Sequence, residues 1–70
     1  MGFYPGEGVK ALRQMHDMSL ERLSALTGID VITLNEIEIS QKNLSENNAK
    51  VLAKALKTFP DLLLSWNREN

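Results

Sequence analysis

Ser19, Gly28 and Asp30 punctuate one short apolar-patterned stretch, and that punctuation constrains the fold more than any other feature of the chain. Ser19 precedes Leu20-Glu21-Arg22-Leu23, where its hydroxyl can accept from the free N–H groups that open a helix. Glu21 falls in the first turn, where the helix dipole favours an acid. Arg22 at the third position means that no capping box forms. Gly28 can take the left-handed conformation that ends a helix. Asp30 can cap the next one from Val31. The spacing therefore predicts two helices of about two turns each, the first over residues 20–27, meeting at a tight corner. The Val-, Ile- and Thr-rich composition after Asp30 favours a strand by propensity, but the flanking punctuation favours a helix. Leu23, Ile29, Leu34 and Ile37 are expected to face inward. Ser24 and Gly28, four apart, are expected where the two helices approach most closely.

The rest of the chain surrounds this corner with further helices. Val9, Leu12 and Met15 recur at helical spacing and predict a first helix from Val9 to about Asp17. Met15 and Met18 read as core or near-core fillers. Residues 1–8 hold three of the four glycines and Pro5. They read as an N-terminal arm, with Phe3 and Tyr4 either anchoring it or packing on the core. Ser40-Gln41-Lys42-Asn43 is a polar loop. Ser45 is placed to cap a fourth helix that turns Ala49, Leu52, Ala53 and Leu56 to one face. Lys50, Lys54 and Lys57 form a stripe on it that reads as a solvated face, with Glu46 placed to pair with Lys50. Pro60 suits the first turn of a short fifth helix carrying Asp61 to Trp66. Residues 67–70 read as a frayed tail, which leaves 9–66 as the domain.

At 70 residues the chain has room for one domain, and a domain of this size buries only about 60% of its unfolded surface. There is no cysteine, so disulfides and thiolate metal sites are excluded. His16 is the only histidine, too few for a metal site, and fits the C-terminal end of the first helix, where a cation is mildly favoured. Gly6 and Gly8 lack the Gly-Lys-Ser/Thr of a phosphate loop, and no serine has a base placed beside it. The expectation is a protein that is not an enzyme, with no cofactor and no small-molecule substrate. The N-terminus has neither a basic nor an apolar signal region, and position 6 lacks the Ser or Thr of a myristoylation signal. Apolar runs extend no further than Leu62-Leu63-Leu64, against ~20 residues for a membrane span. A cytoplasmic protein without a membrane partner is expected. The formal net charge of −1 argues against a strongly basic nucleic-acid glue and leaves room for a local basic face.

The run Met18-Ser19-Leu20-Glu21-Arg22-Leu23-Ser24-Ala25-Leu26-Thr27-Gly28-Ile29-Asp30, continued by Ile37-Glu38 and Val51-Leu52-Ala53-Lys54-Ala55-Leu56, resembles the Cro/repressor (Xre-like) helix-turn-helix family over about residues 9–64. The resemblance implies an all-α, five-helix lambda-repressor-like domain with its motif at 19–39. It also implies an ion pair between Arg13 of the first helix and Glu38 at the end of the third, which would pin those helices together with two hydrogen bonds. It implies a small transcriptional regulator of a phage, prophage or plasmid switch, whose third helix lies in the major groove of operator DNA. Val31, Ile32, Asn35 and Glu36 would then face the bases and Thr33 a phosphate, with Lys10, Arg22 and Lys42 flanking the groove. Asn35 is the one side chain of the usual base-reading kind. Val31 and Ile32 suit thymine methyls, and Glu36 a cytosine amino group.

Three departures from the family pattern bear on this. Leu20 stands where the family often has a phosphate-holding glutamine. Ile39 and Ser40 stand where it often has a basic residue and a glycine. From Ser19 to Leu44 there are two bases against four acids, a formal −2, which is thin for phosphate neutralisation. The alternative is a protein interface: Leu20, Val31 and Ile32, with Ile39, would dock on a partner repressor, making the chain a modulator or antirepressor. A homodimer is the third partner expectation. Trp66 either packs the fifth helix on the core or serves as a dimer contact, with Leu63 as a candidate beside it.

Overall fold

The computed structural model describes residues 5–65. Five helices follow one another: α1 (Pro5–Met15), α2 (Leu20–Thr27), α3 (Val31–Glu38), α4 (Glu46–Ala55) and α5 (Pro60–Leu64), with no strand among the described residues. Three of them begin where the sequence places a cap. Ser19 Oγ accepts from the N–H of Arg22 at 3.0 Å. Asp30 Oδ2 accepts from that of Thr33 at 3.4 Å, and Ser45 Oγ from that of Asn48 at 3.1 Å.

The helix ends show a device that the glycine pattern does not announce. Asp17, Ser40 and Lys57 all adopt left-handed backbone, with φ of 55°, 64° and 58°. In each case the following N–H reaches back to the helix: Met18 to the Arg13 carbonyl at 3.0 Å, Gln41 to Glu36 at 2.8 Å and Thr58 to Ala53 at 2.8 Å. This is the Schellman closure, which most often uses glycine. Here glycine ends only α2, where Gly28 has φ 78°.

The roles of two glycines differ from expectation. A Cβ at Gly28 would meet nothing within 4 Å, so this glycine serves its dihedral angle and no close helix approach. The close approach occurs at Gly6, where a Cβ would overlap the backbone carbonyl of Ile37. The stretch expected to be an arm over residues 1–8 therefore contains the first turn of α1, with Gly6 and Gly8 buried. Glycine here allows two helix backbones to touch, and in sequence that looks the same as turn punctuation. Phe3 and Tyr4 lie outside the described residues.

One core cluster joins all five helices: Val9, Leu23, Leu34, Ile37, Leu52, Ala53, Leu56 and Leu63. Leu12, Met18, Leu20 and Ile29 pack partly against it. Leu63 is fully buried, which removes it as a dimer contact; the consecutive leucines of α5 must diverge, and Leu62 is the exposed one. Trp66, the other candidate dimer contact, and the tail at 67–70 lie outside the described residues. Met15 is 78% exposed and is not a core filler, because α1 turns its side chain outward in its last turn. His16 lies just past the end of α1, 2.9 Å from the Leu56 carbonyl through Nε2. Nε2–H donates to that carbonyl and ties the ends of α1 and α4. Glu46 and Lys50 do not form the expected ion pair. No described helix is long and apolar enough to cross a membrane.

Candidate nucleic-acid interface

The corner between α2 and α3 is held by the Thr27 side chain, which no expectation from the sequence includes. Thr27 Oγ1 donates to the Leu23 carbonyl at 2.8 Å and accepts from the Ile29 N–H at 3.1 Å. One hydroxyl thus holds both the last turn of α2 and the first residue after Gly28. Such local Ser/Thr bonding is the signal that could have found it. Leu23 and Leu34 are buried on either side of the corner, so the turn and the core agree on the angle between the two helices.

A second constraint holds the far end of α3. Arg13 Nε donates to Glu38 Oε2 at 2.7 Å and Nη2 to Oε1 at 3.0 Å. Its Nη1 donates to the Met18 carbonyl at 2.7 Å. The two side chains are only 13% and 3% exposed. The hydrogen bond with Glu38 raises the Arg13 pKa above its ordinary value, against the opposing effect of burial. The guanidinium thereby joins α1, the α1–α2 turn and the last turn of α3. The Met18 carbonyl is a third acceptor that the sequence does not point to.

With both ends held, α3 presents one face outward. Ile32 is 71% exposed. Asn35 is also exposed, as is Ile39 just past the helix end. Val31, Thr33 and Glu36 are half-buried. Leu20, at the start of α2, is half-buried and packed on the core. The Thr33 hydroxyl donates to Asp30 Oδ1 at 2.7 Å, so its one donor already serves the cap and is not free for a phosphate. That bond, with the Thr33 N–H and the charge of Lys42, lowers the Asp30 pKa from its ordinary 3.8. The N-terminus of α3 therefore carries its own anion at neutral pH.

The basic residues divide. Lys42 Nζ lies 3.9 Å from Glu36 Oε1 across the outward face, with the Lys42 side chain exposed and that of Glu36 partly so. Arg22 instead lines a groove between α2 and α4 that includes no residue of α3. Lys10 is exposed on α1. Among the described residues no group of His, Cys, Asp or Glu could hold a metal ion. The arrangement offers a short, amphipathic helix end with one amide, two exposed aliphatics and one exposed acid–base pair.

A family model described as helix-turn-helix matches residues 9–63. Among solved structures, the chain is similar to the P22 c2 repressor protein, whose crystal structure is a complex with synthetic operator 9T in the presence of Tl+. The two are 27% identical with a TM-score of 0.82, covering 89% of this chain and 94% of the other. No curated protein matches the chain.

Proposed function

This chain belongs to the helix-turn-helix family, and from that membership we propose that it is a transcriptional regulator that binds double-stranded operator DNA with α3 in the major groove. The observation that carries this reading is the likeness of the five-helix body, over 89% of its length, to a repressor in complex with a synthetic operator. The regulator is a small cytoplasmic switch protein of phage, prophage or plasmid type. It acts as a homodimer where its operator has two half-sites.

The outward face of α3 supplies the readers. Asn35 makes the paired hydrogen bonds that an adenine offers, and Ile32 and Val31 cover thymine methyls. Lys42 and Glu36 act by exchange. An exposed ion pair of this kind is worth about 0–1 kcal/mol, so a DNA phosphate replaces Glu36 as the partner of Lys42 at little cost. The freed carboxylate then accepts from a cytosine amino group. Phosphate affinity is modest, because few bases flank the face and Asp30 offsets the α3 dipole.

Docking of Leu20, Val31 and Ile32 on a partner repressor requires a continuous apolar patch. Leu20 and Val31 are half-buried, which leaves Ile32 and Ile39 exposed with the polar Asn35 and Glu36 between them. The operator reading is therefore preferred. It is tested by NMR titration of labelled protein with a mixed-sequence duplex at low and then higher salt. Shifts at Val31 to Glu36 and Lys42 that fade with salt are the expected result, after which operator selection follows. An absence of shifts at low salt would overturn it.

A further inference from the structure

The groove between α2 and α4 is unused by the operator reading. Its volume is about 700 Å³. Met18, Leu26 and Val51 form an apolar floor, and Arg22, Lys54 and Lys57 stand around it with no acidic residue in the lining. Leu26 and Val51 remain 46% and 39% exposed. Two members of the lysine stripe, Lys54 on α4 and Lys57 just past its end, border this apolar surface together with Arg22 of α2.

We propose that this groove docks an acidic amphipathic helix of a partner protein. A helix laid along a groove places apolar side chains at i, i+3, i+4 and i+7 into its floor. Acidic residues beside those positions would meet Arg22, Lys54 and Lys57, so charge complementarity selects the sign of the partner. Met18 adapts the floor to side chains of different shape. A DNA backbone would satisfy the cations but brings nothing apolar to cover Leu26 and Val51. No residue of α3 lines the groove, so the partner and an operator can be held together. The proposal does not depend on the operator reading, since its test contains no DNA in the first arm.

The test is titration of the labelled full chain with a synthetic peptide of about four helical turns. Its leucines are at helical spacing and its other positions are mainly glutamate; a matched peptide carries lysine in place of glutamate. Saturable shifts at Met18, Leu26, Val51 and Lys54 with the acidic peptide, absent with the basic one, are expected. Leu26→Glu and Lys54→Glu should each weaken binding by about tenfold or more. Lys54→Glu alters only an exposed side chain, so it keeps the test decisive if the Leu26 variant unfolds. Several results would overturn the proposal: no groove shifts, equal binding of the basic peptide, equal binding by Lys54→Glu, or the same groove shifts on adding duplex DNA. Groove shifts on concentrating the protein alone would point to a second copy and overturn it as well.

Discussion

Arg13 and Glu38 meet as a two-pronged pair, Nε to Oε2 at 2.7 Å and Nη2 to Oε1 at 3.0 Å. The remaining nitrogen, Nη1, binds the Met18 carbonyl at 2.7 Å. Because Glu38 is almost wholly buried, removing its partner leaves a carboxylate charged and unsatisfied. Arg13→Ala should cost about 3–5 kcal/mol. Arg13→Lys should recover only part of this, since an ammonium cannot make the planar fork. Urea unfolding of the two variants measures both. An unchanged midpoint for Arg13→Ala would show that the pair does not hold α1 to α3.

Gly6→Ala should destabilise the protein although alanine is the better helix former. The added methyl would overlap the Ile37 carbonyl, and forcing an extra carbon into a packed contact typically costs about 1–3 kcal/mol. In a domain this small, each kcal/mol lowers the melting temperature by about 4–8 °C. A melting temperature equal to or above that of the parent would refute the close approach of α1 and α3.

Ser40→Gly should act in the opposite direction. Ser40 pays for its φ of 64°, and left-handed backbone costs about 1–2 kcal/mol for an L side chain. Part of the gain is lost because glycine also loosens the unfolded chain. A net stabilisation of about 0.5–1 kcal/mol is expected, while Gly28→Ala, at φ 78°, should destabilise by a similar amount. Thermal melts of the pair should move apart.

The Asp30 cap should leave a signature at acid pH. Its pKa is lowered in the folded protein, chiefly by the Thr33 hydroxyl, so its stabilising effect is present above the ordinary 3.8 and is lost as pH falls through the lower folded value. Asp30→Asn retains a capping oxygen and removes that titration. The difference in stability between parent and variant should therefore shrink as pH is lowered below the carboxylate range. A difference independent of pH would exclude this role for Asp30.

Lys42→Ala should weaken DNA binding similarly for every sequence and reduce the slope of log K against log salt by about one. Asn35→Ala should instead relax preference at a single base pair, at about 1–3 kcal/mol. Binding isotherms on a set of duplexes at several salt concentrations separate the two effects.

Where the physics is local, the sequence alone determined the structure. The spans of α2 and α3 and the caps at Ser19, Asp30 and Ser45 rest on side chains bonding the backbone three residues away, and the left-handed turn at Gly28 rests on one dihedral. The resemblance added the link between Arg13 and Glu38, which no local pattern specifies. Tertiary structure decided the rest, because it depends on which atoms arrive from distant parts of the chain. Gly6 reads as a loop residue until the Ile37 carbonyl lies against it. Leu62 and Leu63 are equivalent until α5 docks and buries only the second. Leu20 reads as exposed until the core takes it. Thr33 reads as a phosphate ligand until its hydroxyl bonds Asp30. The groove between α2 and α4 has no trace in the sequence, since its floor and its cations come from two helices and their flanking turns, which only packing brings together.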